Sequence, residues 1–159
     1  MPKATKEIRT LLAPITGGTV MLPGSVVAEV VDYSETKQFK DAPKWLLGGL
    51  NWSDWNVPVV SFAVLAGTSK SESPGAGNRV LVVKSLSELS STPYLGILIT
   101  GLPRLAKVQA GSLSKPRKLA DHPCVFRQVS MGEEEVLIPE LDELTRSIEA
   151  AVVLEDNPE

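Results

Sequence analysis

The sequence predicts a mostly β protein whose short strands close into small barrels, with one helix near the C-terminus. Apolar runs of strand length, rich in β-branched residues, recur along the 159 residues and are separated by Gly- and Pro-containing turns. The regular strand–helix alternation of a parallel sheet is absent. Only the end of the chain has a helical period, because Leu141, Leu144, Ile148 and Val152 follow one another at spacings of 3, 4 and 4 residues.

The first elements are a predicted hairpin and a further strand. Residues 9–15 and 19–22 are apolar runs that flank Gly17-Gly18, where glycine supplies the positive φ of a tight turn. Residues 26–31 predict a strand with Glu29 at an alternating position, and residues 32–41 predict a polar loop.

The next segment predicts a short helix and then a strand. Residues 42–47 contain Pro43 at a position suited to a first helical turn, and Gly48-Gly49 is expected to end that helix. Residues 57–62 read as a strand, in which Pro58 indicates an edge or a strand start.

The second half of the chain predicts more strands before the helix. A plain Gly/Ser-rich linker is expected at residues 67–78, where the ending of a phosphate-binding loop is missing. Strands are predicted at residues 79–84 and 94–100, and a hairpin at 125–129 and 135–138. We expect one domain over residues 1–154, with a frayed tail at 155–159.

Composition excludes most catalytic and metal chemistry. His122 is the only histidine, which removes most familiar active sites, because a Ser/His/Asp or Cys/His arrangement needs an imidazole base. Cys124 is the only cysteine, so no thiol-based metal site can be assembled, and Cys124 is expected to be a buried thiol. The run Glu133-Glu134-Glu135 lacks the alternating spacing of a calcium loop and is expected to be a solvated hairpin tip. We therefore predict no enzyme activity, no cofactor and no metal.

Charge is unevenly distributed along the chain, although the net charge is only −3. Residues 91–120 contain five basic residues and no acidic one, whereas residues 133–159 contain ten acidic residues and one basic residue. The basic stretch lacks the interleaved aromatics of many nucleic-acid-binding surfaces, which favours a solvated face or a face that meets an acidic protein. No apolar run is long enough for a membrane span, and no secretory signal follows the basic start, so the cytoplasm is the expected compartment.

The densest signal is the tryptophan-rich segment at residues 50–56. Trp52 and Trp55 lie within four residues of each other in a predicted tight turn. They either cover the core or form a docking patch, and the second interpretation is favoured because aromatics dominate the binding energy of many interfaces.

Residues 42–62, with Gly48-Gly49-Leu50-Asn51-Trp52-Ser53-Asp54 at their centre and Val57-Pro58-Val59 after it, resemble the signature of the CheW-like chemotaxis coupling proteins. The resemblance extends over about residues 8 to 150, because four further segments match the family's strands and the start of its last helix: the Glu29 strand and residues 78–83, 96–102 and 135–141. It implies two intertwined five-stranded SH3-like barrels with a C-terminal helix. It also implies a non-catalytic, cytoplasmic adaptor, recruited to membrane-associated chemosensory arrays.

By resemblance, the partners are the regulatory domain of a CheA-type histidine kinase and the cytoplasmic tip of a methyl-accepting chemoreceptor, with no nucleic acid and no membrane insertion. The protein-binding residues carried over by position, with the adjacent tryptophan, are Val27, Glu29, Val31, Leu50, Asn51, Trp52, Ser53 and Trp55.

One departure separates this chain from the family pattern. Ser53 and Asp54 stand where the family has an arginine and a glycine, so Glu29 lacks the arginine that can pair with it and is expected to be exposed. The substitution suggests a divergent adaptor of the pilus-linked type that serves twitching motility. Two alternatives stay open: an accessory array protein that does not couple receptor to kinase, and a small ligand-binding or enzymatic barrel, against which the lone His122 argues.

Overall fold

The computed structural model describes residues 7–34, 36–39, 41–72, 74–75, 77–85, 93–109, 124–131 and 134–156. Strands dominate these residues, and the prediction of a mostly β fold is confirmed. The elements in chain order are β1 (Glu7–Ile15), β2 (Gly18–Pro23), β3 (Val27–Asp32), β4 (Leu46–Trp52), β5 (Trp55–Val60), α1 (Phe62–Ala66), β6 (Arg79–Lys84), β7 (Tyr94–Ile99), β8 (Arg104–Gln109), β9 (Val125–Met131), β10 (Glu134–Pro139) and α2 (Leu141–Asp156).

The strands form two five-stranded sheets, with orders β8-β1-β2-β10-β9 and β3-β6-β7-β5-β4. The first sheet is assembled from both ends of the chain and the second from its middle, which gives the intertwined arrangement that was predicted. The β1–β2 and β9–β10 hairpins are antiparallel, and Gly17 has the positive φ expected of the first turn. Parallel pairs join β2 to β10 and β5 to β7.

Three groups of buried side chains hold the sheets together. Leu12, Met21 and Val136 form a small cluster on the first sheet. A second cluster, on one face of the second sheet, consists of Leu50, Val59, Val80, Val82 and Leu98.

The third and largest cluster lies between the two sheets and receives α2. Along β6, Leu81 and Val83 belong to this shared core, whereas the alternating Val80 and Val82 belong to the second sheet's own cluster. A strand buried on both faces needs apolar residues at every position, which explains the unbroken apolar runs in the sequence.

Helix α2 confirms the helical stripe read from the sequence. Leu141, Leu144 and Ile148 are buried in the shared core, and Asp142 and Glu143 lie in the first turn, where the helix dipole favours acidic side chains. The helix continues to Asp156, two residues beyond the predicted end of the folded region at residue 154.

The prediction of a short helix at residues 42–47 is wrong. Leu46 begins β4, which pairs with β5, and the register shifts between Leu46 and Gly48 as in a β-bulge. Gly48 has a φ of +135°, and a Cβ there would lie 2.8 Å from the Lys37 carbonyl oxygen. The glycine therefore permits a close backbone approach inside a strand, and pairing with β5 overrides the local helical preference of the segment.

Two further strand predictions need correction. β5 lies between β7 and β4, so Pro58 is not on an edge strand; the pairing with β7 begins at Val59, one residue after the proline. Strand β8 was not predicted, because its sequence Arg-Leu-Ala-Lys-Val-Gln has neither an unbroken apolar run nor a strict polar–apolar alternation. It pairs with β1 at the end of the first sheet.

Candidate protein-binding surface on the second sheet

The tryptophan-rich segment is a tight hairpin. β4 and β5 are joined by Ser53 and Asp54, whose φ values of +49° and +66° are typical of a two-residue type I′ turn. Aspartate is among the residues that tolerate the left-handed region, so the turn forms without the glycine of the family pattern. Trp52 and Trp55 lie directly opposite each other in register, at the last strand positions before the turn.

The two tryptophans meet Tyr94, the first residue of β7. The ring centroid of Tyr94 lies 4.9 Å from that of Trp52 and 5.7 Å from that of Trp55, with interplanar angles of 66° and 58°. Tilted and edge-to-face contacts of this kind stabilise aromatic clusters. We call Trp52, Trp55 and Tyr94 the aromatic cluster. Tyr94 was missed in the sequence because it lies about forty residues away from the tryptophans.

The sequence left two roles open for the tryptophans, covering the core or docking a partner, and each role fits one of the two residues. Trp52 is half-buried and packs against the second sheet's own cluster of Leu50, Val59, Val80, Val82 and Leu98. Trp55 is 47% exposed and presents much of its ring to solvent. Trp52 therefore covers the core, whereas Trp55 has the exposure that a docking residue needs.

Glu29 is exposed, as predicted, but it has a partner that the sequence did not indicate. The indole Nε1–H of Trp52 donates a hydrogen bond of 3.0 Å to Glu29 Oε1. Trp52 thus supplies a hydrogen-bond donor to Glu29 in a chain that has Ser53 where the family pattern has an arginine. The bond links residues 23 apart in the chain, and only the folded sheet brings them together.

This hydrogen bond also links the two sides of the second sheet, which forms one of the two predicted barrels. β3 and β4 are the two end strands of that sheet, and the Glu29–Trp52 bond joins them at one point. Lys37, five residues beyond the end of β3, also pairs with β4, because its backbone and that of Gly49 exchange hydrogen bonds of 2.9 and 2.8 Å. We call the end of the barrel that carries Glu29 and the aromatic cluster the barrel mouth.

The other residues carried over by resemblance differ in exposure. Asn51 and Ser53 are exposed, and Val27 and Val31 are half-buried. Leu50 is only 3% exposed, so its side chain anchors the hairpin in the core and offers almost no contact surface. The exposed candidates at the turn are therefore Asn51, Ser53 and Trp55, with Glu29 across the sheet.

The structure describes only some of the residues considered as catalytic, ligand-binding or metal-binding candidates. Cys124 is buried as predicted; burial raises the pKa of its thiol, and a contact with the Ser147 hydroxyl at 3.5 Å partly opposes that shift. A cavity of about 450 Å³ is lined by Tyr33, Phe39, Pro43 and Leu47 among others, and the Thr36 hydroxyl at its wall donates to the Leu47 carbonyl oxygen. No cluster of three metal-ligating side chains occurs within the described residues. The lone histidine, one glutamate of the acidic run and three cations of the basic stretch lie outside the described residues: His122, Glu133, Lys115, Arg117 and Lys118.

Comparison with known proteins identifies the family. The family model described as the CheW-like domain matches residues 9–149. The chain belongs to the CheW-like family. This assignment confirms the resemblance drawn from residues 42–62 and the prediction that the chain is not an enzyme, since the family consists of non-catalytic scaffold and adaptor proteins.

A solved structure shows the same fold. The chain is similar to the scaffolding protein TtCheW from Thermoanaerobacter tengcongensis, with 15% sequence identity, a TM-score of 0.71 and 91% of each chain covered. The prediction of two SH3-like barrels with a C-terminal helix is confirmed by this likeness. Comparison with curated protein sequences gives no match. None of the described helices is long and apolar enough to cross a membrane.

Proposed function

We propose that this CheW-like protein couples the cytoplasmic tip of a methyl-accepting chemoreceptor to the regulatory domain of a CheA-type histidine kinase. It would act in the cytoplasm, within membrane-associated arrays. The observation that carries the proposal is the barrel mouth, where the exposed ring of Trp55 and the turn residues Asn51 and Ser53 lie on the hairpin whose Trp52 binds Glu29. A large aromatic side chain on a rigid hairpin is the kind of anchor that dominates binding energy in protein interfaces.

The seven residues carried over by resemblance and Trp55 have different roles in this proposal. Glu29, Asn51, Ser53 and Trp55 offer contact surface, whereas Leu50 and Trp52 hold the hairpin in place from beneath. Val27 and Val31 are half-buried and supply the apolar margin of the β3 side.

The experiment is a measurement of the Kd for the receptor tip and for the kinase regulatory domain with Trp55→Ala. Truncation of an interface anchor costs about 2 kcal/mol or more, which weakens binding by a factor of about 30. Lys70→Ala, at an exposed residue of the 67–78 loop, is the control and should bind as the wild type does. Unchanged binding of both partners by the Trp55 variant contradicts the placement of the site.

A second candidate is an accessory array protein that occupies a position without coupling receptor to kinase. It is favoured by the serine at position 53 and by the engagement of Glu29 with Trp52 instead of an arginine. Ser53→Arg separates the two: tighter receptor binding by the variant supports the coupling role, and unchanged binding supports the accessory role. A pilus-linked array is the proposed setting in either case, and loss of twitching on deletion of the gene tests it.

A further inference from the structure

The first sheet carries a second surface that the proposed function does not use. Leu102 and Leu105 are 69% and 78% exposed, more than any other large hydrophobic side chain that the structure describes. Leu105 lies on β8, the end strand of the first sheet, opposite Leu11 of β1. The next residue on the same face of β8 is Lys107, and it stands opposite Arg9. Leu102 lies outside the sheet, two residues before the start of β8. We call these four residues, Arg9, Leu102, Leu105 and Lys107, the basic–leucine surface.

Neither feature of this surface is explained by folding. A leucine that stays 78% exposed contributes little to the core. Arg9 and Lys107 are both exposed and directly opposite each other in an antiparallel pair, an arrangement in which like charges repel and destabilise the sheet. Among the described residues, no carboxylate forms an ion pair with either of them.

The sequence around β8 extends the same charge. Residues 91–120 contain five basic residues and no acidic one, in a chain whose net charge is −3. Basic residues are thus concentrated in this part of the sequence, in a protein that is acidic as a whole. A partner that neutralised the cations and covered the leucines would relieve both the repulsion and the apolar exposure.

We propose that the basic–leucine surface binds an acidic, amphipathic protein segment, with apolar side chains on Leu102 and Leu105 and carboxylates on Arg9 and Lys107. A nucleic acid would pair with the cations but would leave the leucines without an apolar partner, and the surface has no aromatic side chain on which a base could stack. The inference goes beyond the proposed function, because the barrel mouth is aromatic and carries the carboxylates of Glu29 and Asp54. The two surfaces therefore select different partners.

The test uses a synthetic twenty-residue helical peptide with leucines on one face and glutamates flanking them. Titrated into the ¹⁵N-labelled full chain, it should shift the amide signals of Arg9, Leu105 and Lys107. Binding should weaken at least tenfold with Leu105→Asp or Lys107→Glu, and it should fall as salt is raised from 50 to 500 mM. Leu105 is exposed, so its variant should melt as the wild type does; Leu105→Ser provides a second variant with the same expectation.

Three matched measurements decide the outcome. The same peptide with lysine in place of glutamate, and a twenty-nucleotide single-stranded DNA, should not shift these signals. Equal binding of the lysine peptide, tighter binding of the DNA, or no shift with the glutamate peptide at millimolar concentration overturns the proposal. Trp55→Ala should bind the glutamate peptide normally, so failure of the barrel-mouth proposal and failure of this one are distinguishable.

Discussion

The hydrogen bond from Trp52 to Glu29 can be removed with little change to the packing. Trp52→Phe keeps an aromatic ring against Tyr94 and deletes the Nε1–H that donates to Glu29 Oε1. A hydrogen bond contributes about 0.5–1.5 kcal/mol net, and the exposure of Glu29 favours the lower half of that range. For a chain of this length, about 1 kcal/mol corresponds to a Tm change of about 2–4 °C. We expect the Trp52→Phe variant to melt about 1–4 °C lower than the wild type.

A double-mutant cycle separates the hydrogen bond from the smaller ring. Glu29→Ala removes the acceptor, and Glu29→Gln retains one as the matched control. The double variant of Trp52→Phe with Glu29→Ala should lose less stability than the sum of the two single losses, by about 0.5 kcal/mol or more. The indole N–H signal of Trp52 in an ¹⁵N spectrum should move with Glu29→Ala. Strictly additive losses and an unmoved signal refute the hydrogen bond between the end strands.

The remaining predictions concern the core, the two tryptophans and alkaline pH. Gly96→Ala would place a Cβ 2.6 Å from Val80 Cγ1, so we expect a loss of about 1–3 kcal/mol in urea unfolding, whereas Gly75→Ala meets nothing within 4 Å and should be neutral; equal midpoints for the two variants contradict this packing. Trp55→Ala should lower the Tm less than Trp52→Ala, because of these two tryptophans only Trp52 packs on the second sheet's own cluster. The reverse order would contradict the assigned roles. Burial raises the pKa of the Cys124 thiol, so the stabilisation from this neutral buried thiol is complete below about pH 8.5 and is lost as the pH rises further. The wild type should therefore lose more stability than Cys124→Ala between pH 8 and 10. Parallel pH profiles of the two proteins would contradict this.

The strands buried on both faces were the part of the fold that sequence patterns predict well. Runs such as residues 80–83 need apolar side chains at every position, because one face meets the shared core and the other meets the second sheet's own cluster. The error at residues 42–47 has the opposite origin: the local preference for a helix is outweighed by pairing with β5, which depends on residues farther along the chain. In β8 the side chains of Arg104, Leu105 and Lys107 are exposed, and the sequence has neither an unbroken apolar run nor a strict alternation, so its strand signal is weak.

The candidate site shows the same division between local and distant information. The density of tryptophans at residues 50–56 could be predicted because it is a local property of the sequence, and the exposure of Glu29 was predicted because Ser53 stands where the family has an arginine. The Glu29–Trp52 bond and the contribution of Tyr94 could not, because they depend on how the second sheet curls to bring its end strands together. The different burial of Trp52 and Trp55 likewise follows from the hairpin's position on the barrel.

Simultaneous binding of both proposed partners tests the adaptor role most directly. The kinase regulatory domain is immobilised, and capture of the soluble receptor tip is measured with and without the chain, and with the Trp55→Ala variant. Retention of the receptor tip only when the wild-type chain is present, with a clear loss for Trp55→Ala, is the expected result. If the chain binds neither partner, or binds each one only in the absence of the other, it does not couple them and the central claim is contradicted.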